Sequence, residues 1–349
     1  DPTMIRMLYD ITGMDPTKVP LDDKDTMSIF CSTEALGVTP EQIHSKVGSF
    51  GVPEFGTKFV RGMLVDTKPS TFDELIRISG LSHGTDVWLG NAQTLIEEGT
   101  VTLQESICCR DDIMIYLIKK GVPPNPSFKI METVRKGKAL KDPAKWEEYK
   151  ALMKEHDVPD WYIKSCEKIK YMFPKAHAAA YVTNAFRIAW FKVHIPLAYY
   201  AAYFSIRAKA FDASCMIFGK EKVKNKMKEI EMKNQKKEAT KAELDMYDDL
   251  EIVLEMYERG FEFLPVDLYE SEATKFKVQD NKLRPPLNSI PGFGGVAAQG
   301  IVEARKDGKF MSIDDLKIRA KIGASGADLL KEFGCLEGMS QSNQLSLFG

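Results

Sequence analysis

The stretch DDIMIYLIKKG, residues 111–121, has the order of charges that an α-helix favours. It begins with two aspartates and ends with two lysines, which complement the positive amino end and the negative carboxyl end of a helix dipole. The glycine that follows, Gly121, can adopt the left-handed conformation that ends a helix. Because helical start and stop signals recur along the chain, the sequence predicts a mainly α fold.

Two further helix starts are capping boxes, in which a threonine hydroxyl and the side chain three residues later satisfy each other's free backbone donors. These are TPEQ at 39–42 and TFDE at 71–74. Other helices are predicted at 127–137, 146–156 and 160–171, and a long helix after Pro174 breaks near Pro196 and resumes through 199–207. The segment KFKVQDNKLRPP, 275–286, predicts at most a short β-hairpin.

The composition is that of a globular chain of two or three domains. Its 349 residues exceed one ordinary core, and 44% are hydrophobic and 28% charged. No run approaches the roughly 18 apolar residues that a membrane span needs, and the first residues lack the pattern of a signal peptide. The 6 cysteines form no C-x-x-C pair, which argues against a disulfide framework and a zinc site. We therefore expect a cytoplasmic protein with reduced thiols and no membrane partner.

Residues 220–260 predict a helical hairpin, because apolar residues recur at helical spacing in both arms, at Val223, Met227 and Ile230 in the first. The first arm is crowded with lysines and the second with acidic residues. We interpret the lysine run as a solvated helix face, with a dedicated DNA-binding patch as the alternative.

A glycine-rich turn in LNSIPGFGGVAAQGIVEAR fits the helix-hairpin-helix pattern of proteins that bind DNA without reading its sequence. Glycines allow a tight turn whose backbone N–H groups, at the start of a helix, can hold a phosphate oxygen. The predicted DNA-binding residues are Gly292, Phe293, Gly294 and Gly295. The family of this motif also implies a monovalent cation held by the turn carbonyls.

A weaker second copy lies in LKIRAKIGASGADLLKEFGCL. Its turn runs from Ile322 to Gly326, its predicted DNA-binding residues are Gly323, Ser325 and Gly326, and its second helix is expected from Ala327. Two such copies would grip both strands of a duplex through backbone contacts. The alternative for each copy is a plain turn between two packed helices.

Basic residues gather in SFKIMETVRKGK, at Lys129, Arg135, Lys136 and Lys138. A helix carboxyl end favours cations by itself, and the rest of the cluster suits a polyphosphate. Downstream, a helix places His177, Tyr181 and Asn184 on one face. The opposite stripe, at Val182, Phe186, Ala189 and Val193, is apolar, so the helix should be buried on one side only.

The run FPKAHAAAY, 173–181, followed by Lys192, His194 and Pro196, resembles the fingers motif of C-family bacterial replicative DNA polymerases. RISGLSHGTDVWLGNAQ, 77–93, together with KIMETVRKGK, 129–138, is similar to the PolC type, the DNA polymerase III alpha subunit of low-GC Gram-positive bacteria. These motifs occur in the family's order, and the resemblance extends over essentially the whole chain.

The resemblance implies nucleotide-binding roles for residues of the matching motifs. Arg135, Lys136 and Lys138 would face the triphosphate of an incoming dNTP. The sugar and base side of the pocket would be lined by Lys175, His177 and Tyr171, and Ser82 and His83 would lie near the nascent base pair, with Arg110 as an addition.

The resemblance also implies a domain order. It comprises a palm-to-fingers junction at 1–70, a fingers domain at 71–218, a helical hairpin and connector at 219–284, a tandem helix-hairpin-helix region at 285–338, and a flexible tail at 339–349. Within the tail, the apolar peptide QLSLF would dock on the ring-shaped sliding clamp through Gln344, Leu345, Ser346, Leu347 and Phe348. The alternative is an exposed tail without a partner.

Nucleotidyl transfer needs carboxylates that hold two divalent metals, and the acid pairs of this chain occupy helix starts or charged helix faces. We therefore expect no certain metal ligand here. The resemblance implies that the Mg²⁺-binding aspartates lie in a palm domain upstream of Asp1, so that this segment alone is expected to be inactive. Its partners would be primer-template DNA, dNTP, the sliding clamp, and the rest of the alpha chain and replisome. The competing hypothesis is a DNA-binding, clamp-tethered adaptor, which leaves SGLSHG and FPKAHAAAY unexplained.

Overall fold

The computed structural model describes residues 2–343, and their architecture is mainly α. The helices of the first half are α1 Pro2–Thr12, α2 Lys24–Ser28, α3 Pro40–Ile43, α4 Lys58–Thr67, α5 Phe72–His83, α6 Gln93–Glu97, α7 Arg110–Lys119, α8 Pro124–Arg135, α9 Pro143–Glu155 and α10 Asp160–Lys168. Those of the second half are α11 Lys175–His194, α12 Pro196–Ile206, α13 Ala213–Met216, α14 Lys220–Gln235, α15 Lys241–Glu258, α16 Gly295–Ala304, α17 Ile313–Ala320 and α18 Ala324–Glu332. The strands are β1 Lys277–Gln279 and β2 Lys282–Arg284.

The predicted helix starts and stops are largely confirmed. Thr39 forms both halves of its capping box with Gln42 at the start of α3. At α5 the Thr71 hydroxyl caps as predicted, but the carboxylate of Glu74 accepts from the N–H of Ser70, one residue earlier than the box requires. α7 ends before Gly121, whose φ is +90°.

Several helix boundaries differ from the prediction, among them three helix starts at a proline, including that of α12 at Pro196. α8 begins at Pro124 and α9 at Pro143, each three residues earlier than expected. Proline suits the first turn of a helix because the N–H that it lacks would have no partner within the helix. α10 ends at Lys168, before the segment that reaches Tyr171.

The described chain divides into two compact units. The 46–189 unit comprises Val19–Ala35 and Lys46–Ala189, and the 190–343 unit comprises the described residues up to Lys18, Leu36–Ser45, and those from Trp190 onward. The division falls within α11. The five predicted domains follow functional boundaries and remain predictions.

The core of the 46–189 unit includes a cluster of phenylalanines. Phe30 packs edge-on against Phe55 at 5.0 Å between ring centroids and stacks on Phe186 at 6.3 Å. Phe186, Val182 and Ala189 of α11 are fully buried, whereas His177 is exposed. The predicted one-sided burial of this helix is therefore confirmed, and its polar face is presented outside the core.

In the 190–343 unit, α12 is buried on all sides, and α14 and α15 form the predicted helical hairpin. Several lysines of α14 take part in ion pairs with neighbouring glutamates, among them Lys233 with Glu243 at 2.6 Å and Lys226 with Glu229 at 3.1 Å. These pairs fit the interpretation of the lysine run as a solvated face. Among the described helices, none combines the length and the apolar character needed to cross a bilayer.

The predicted β-hairpin is confirmed as the antiparallel pair of β1 and β2, which two residues connect. These residues, Asp280 and Asn281, have φ of +51° and +57°, the backbone of the turn that matches strand twist. Farther along the chain, α16 and α17 pack closely at Gly300, where a Cβ would lie 2.4 Å from the carbonyl oxygen of Ala320. Only glycine fits there without displacing a backbone.

Candidate nucleotide site and DNA-binding turns

Backbone hydrogen bonds at residues 171–172 bring distant motifs of the 46–189 unit together. The N–H of Thr85, just after SGLSHG, donates to the carbonyl of Tyr171 at 2.9 Å. The N–H of Met172 donates to the carbonyl of Arg135 at 3.3 Å. The segment before FPKAHAAAY therefore lies between the SGLSHG loop and the end of the METV helix.

The start of α7 joins the same cluster. The N–H of Arg110 donates to the carbonyl of Phe173 at 3.3 Å, and the N–H of Lys175 donates to Asp111 Oδ2 at 2.9 Å. The acidic residue predicted to begin α7 thus also caps the first residue of α11. Four segments that are far apart in the sequence therefore lie side by side: those at Thr85, at Arg110, at Arg135 and at 171–175.

Gly137 lies in the basic loop, residues 135–138, and lets this loop approach the 170–172 segment closely. Its φ is +63°, and a Cβ on it would lie 2.5 Å from the carbonyl oxygen of Lys170. Any side chain would push the loop away from the 170–172 segment, so this glycine fixes the distance between Lys138 and the neighbouring Tyr171 segment.

Two of the three predicted triphosphate residues share one carboxylate. Arg135 contacts both oxygens of Glu132, its Nη2 lying 3.0 Å from Oε2, and Lys136 Nζ lies 2.9 Å from the same Oε2. These hydrogen bonds, that of Arg135 first, lower the pKa of Glu132 to about 2. Lys138 is exposed at the surface of the loop. Sequence analysis missed Glu132, although its spacing of three and four residues from the two cations was the available signal.

Lys175 and His177, the predicted nucleotide-binding residues of α11, lie at the surface beside these segments. Lys175 Nζ lies 3.7 Å from Asp73 Oδ1, and the exposed ring of His177 meets Phe173 edge-on at 6.0 Å. Tyr171 is also exposed, at 45%. Arg110 keeps its side chain near Asp111, with Nε 4.0 Å from Oδ2.

Ser82 and His83 of SGLSHG make different contacts. The Ser82 hydroxyl donates to the carbonyl of Ser79 at 3.0 Å, so it is engaged within α5. The His83 ring stacks on Phe173 with centroids 4.7 Å apart, and its Nε2 contacts Glu54. The hydrogen bond to Glu54, and then its charge, raise the pKa of His83 against the opposing effect of burial. The structure therefore gathers the predicted nucleotide-binding residues around Tyr171 and Phe173.

The two glycine turns of the 190–343 unit share one backbone conformation. Gly292 has φ of +81° and Lys321 of +57°, and two residues later Gly294 and Gly323 cap α16 and α18 in extended conformations. In both turns the first-turn amides of the following helix lack partners within that helix. The second turn is thus a close copy of the first, although a lysine occupies the position where the first has glycine.

The structure corrects two details of the turns. α18 begins at Ala324, so Ser325 and Gly326 belong to its first turn and not to the loop before it. Phe293 is only 4% exposed, and its ring carbon lies 3.5 Å from the place of a Cβ on Gly326. Its side chain therefore packs the two turns together and is not exposed to a ligand.

Comparison with known proteins agrees with these two regions. A family model described as the bacterial DNA polymerase III alpha subunit finger domain matches residues 1–157, and one described as a helix-hairpin-helix motif matches 260–345. Over 348 residues, 100% of this chain, the sequence is 58% identical to DNA polymerase III PolC-type of Oceanobacillus iheyensis. It is 56% identical over the same length to the proteins of that name from Bacillus subtilis and Caldanaerobacter subterraneus.

The chain belongs to the PolC-type DNA polymerase III family. It spans 24% of the length of each of these relatives. The predicted family is therefore confirmed, with this chain corresponding to about a quarter of a PolC-type protein.

The contacts described above do not test two predictions for a PolC-type chain, the clamp-binding peptide and the Mg²⁺ site. The clamp-binding peptide, 344–348, is outside the described residues. Within 2–343, no three His, Cys, Asp or Glu side chains gather as a metal site, and Asp111 and Asp112 serve as caps at the start of α7. The expectation of a palm-bound Mg²⁺ stays a prediction.

Proposed function

We propose that this chain binds the incoming nucleotide, grips primer-template DNA and tethers to the sliding clamp within a DNA-directed DNA polymerase. The observation that supports the nucleotide role is a pair of backbone contacts just before the FPKAH helix: Tyr171 pairs with Thr85 after SGLSHG, and Met172 donates to Arg135 at the start of the basic loop. Arg135, Lys136 and Lys138 would neutralise and orient the triphosphate. His177 and Lys175 would face its nucleoside part.

The basic loop suits triphosphate binding because Glu132 orients two of its cations, Arg135 and Lys136, while the third, Lys138, is exposed. Glu132 holds the Arg135 guanidinium and the Lys136 ammonium in one place, so less side-chain freedom is lost when an anion binds. Lys138 is exposed and can move to the ligand. The carboxylate also repels a phosphate, so we expect the triphosphate to approach from the side of Lys138 and Tyr171.

The tandem turns would hold the duplex without reading its sequence. Each presents first-turn amides of a helix, at Gly295 and at Ala324, to the solvent side of a tight turn. A monovalent cation bound by turn carbonyls and bridging to phosphate is part of the proposal. Phosphate contacts of this kind should give binding that weakens with salt.

A nucleotide-protection experiment tests the proposed function. With complementary dNTP added to the complete polymerase on primer-template DNA, hydrogen exchange should slow in the peptides of 132–138 and 171–181 and remain unchanged in α14. Protection by DNA alone, with no further effect of dNTP, would favour the DNA-binding, clamp-tethered adaptor over the polymerase role.

A tail deletion tests the clamp contact. Removing Gln344, Leu345, Ser346, Leu347 and Phe348 from the complete polymerase should shorten products on clamp-loaded DNA, because tethering turns rebinding into a local event. Synthesis on short primers without clamp should remain nearly unchanged. Replacing the same number of residues by a Gly/Ser sequence controls for length, and an equal loss in both assays would contradict the clamp role.

A further inference from the structure

Glu54 occupies a turn whose backbone is held in an uncommon conformation. Its φ is +71°, in the left-handed region that favours glycine. The next residue, Phe55, is fully buried against Phe30, and the Ser49 hydroxyl donates to its carbonyl at 2.7 Å. The core of the 46–189 unit thus imposes the conformation of Glu54 and fixes where its carboxylate lies.

That carboxylate meets His83. Glu54 accepts a hydrogen bond from His83 Nε2, with the Glu54 side chain 14% exposed and the His83 side chain 38% exposed. The pairing favours the protonated imidazole, so the pKa of His83 is raised. A turn under backbone strain therefore holds the ring of His83.

The held ring lies among the predicted nucleotide-binding residues. The His83 ring stacks on Phe173, with centroids 4.7 Å apart and an angle of 24° between the ring planes. The Tyr181 ring lies 6.2 Å from it, and His177 contacts the same Phe173 ring. A protonated imidazole donates from both nitrogens. Among residues 2–343, Nδ1 of His83 has no hydrogen-bond partner, so one donor remains for a ligand.

We propose that Glu54 is a positioning residue for nucleotide binding: it holds His83 as an imidazolium on Phe173, with Nδ1–H left to donate to an acceptor oxygen or nitrogen of the incoming deoxynucleoside triphosphate. This inference rests on the proposed nucleotide-binding function. It assigns a role to a residue outside the recognised motifs, and it gives a physical reason for a non-glycine residue in a left-handed turn.

Two substitutions in the complete polymerase separate this role from stability. Glu54→Gln removes the charge, and it should raise the KM for dNTP about fivefold to tenfold with a smaller change in kcat. Glu54→Gly should raise KM by as much while leaving the melting temperature unchanged or higher, because glycine adopts φ of +71° without strain. Glu34→Gln, an exposed residue of the same unit, is the matched control and should change neither quantity.

A double variant and a pH profile test whether Glu54 acts through His83. Glu54→Gln combined with His83→Gln should be no worse than His83→Gln alone. Because protonated His83 is the binding form, kcat/KM should fall as pH rises through its raised pKa. Without Glu54 the pKa drops, so the same fall should begin at lower pH.

The inference is overturned if Glu54→Gln and Glu54→Gly leave KM and the pH profile unchanged, or if Glu54→Gln and His83→Gln are additive. Lys138→Ala in the same assay separates this failure from that of the proposed function. A raised KM for Lys138→Ala beside an unchanged Glu54→Gln rejects the role of Glu54 alone. An unchanged KM in both rejects nucleotide binding at this cluster.

Discussion

Replacing Glu255 by alanine is expected to lower the free energy of opening of α12 and α15 by about 3–5 kcal/mol, because it removes the carboxylate that neutralises a buried ammonium. Lys192 Nζ lies 2.9 Å from Glu255 Oε1, and both side chains are 0% exposed. The Tyr200 hydroxyl donates to the same carboxylate at 2.6 Å, and Arg259 donates to the carbonyl of Lys192 at 2.9 Å. Hydrogen-exchange rates of peptides from α12 and α15 measure the change.

Two control variants define what the result means. Asp10→Ala breaks the exposed Arg6–Asp10 pair of the same unit, whose side chains are 77% and 55% exposed, and it should cost less than about 1 kcal/mol. The paired change of Lys192→Met with Glu255→Leu removes both charges and should restore most of the stability. If Glu255→Ala costs no more than Asp10→Ala, the buried pair does not stabilise the 190–343 unit.

The helices could be predicted because their signals are local. A threonine cap, a dipole-ordered run of charges and a glycine stop act within a few residues, and Thr39, Asp111 and Gly121 behave as such signals predict. Boundaries moved at Pro124 and Pro143, where a residue that can end a helix instead begins one. They also moved at the end of α10 and at the start of α18.

The gathering of the site could not be derived from periodicity, because it depends on pairings between distant segments. Thr85 and Tyr171 exchange two backbone hydrogen bonds, and Met172 donates one to Arg135; no local pattern encodes these pairings. Only the resemblance to a known family placed these motifs in one pocket. Glu54 carried no motif at all, and its role depends on a turn that only the folded core imposes.

Lys192 and Lys321 lie in predicted motifs, but the structure shows features of each that the motif does not predict. Lys192 stands in the fingers motif of the sequence, yet its ammonium is fully buried and paired with Glu255. Lys321 stands in the second glycine turn where the first has Gly292, and it adopts the same left-handed backbone, so the second turn matches the pattern only weakly.

Replacing Arg135 by alanine in the complete polymerase is expected to lower kcat/KM for dNTP by about 10-fold to 100-fold, the loss of one charge-assisted hydrogen bond to phosphate. The substitution also leaves Glu132 with only Lys136 of its two cations, so more negative charge faces the triphosphate. The effect should therefore exceed that of Lys138→Ala. Single-turnover incorporation of the complementary nucleotide measures both the apparent affinity and the rate.

Arg135→Lys keeps the charge but loses the planar fork that holds both oxygens of Glu132, so it should fall between the wild type and Arg135→Ala. Lys141→Ala is the matched control, because that exposed lysine lies beyond the loop that contacts the Tyr171 segment. If Arg135→Ala and Lys138→Ala match Lys141→Ala in their dependence on nucleotide, the basic loop does not bind the triphosphate. A loss at Arg135 that Glu132→Gln reverses would instead show that relief of the carboxylate's negative charge, more than a direct phosphate contact, is what this arginine supplies.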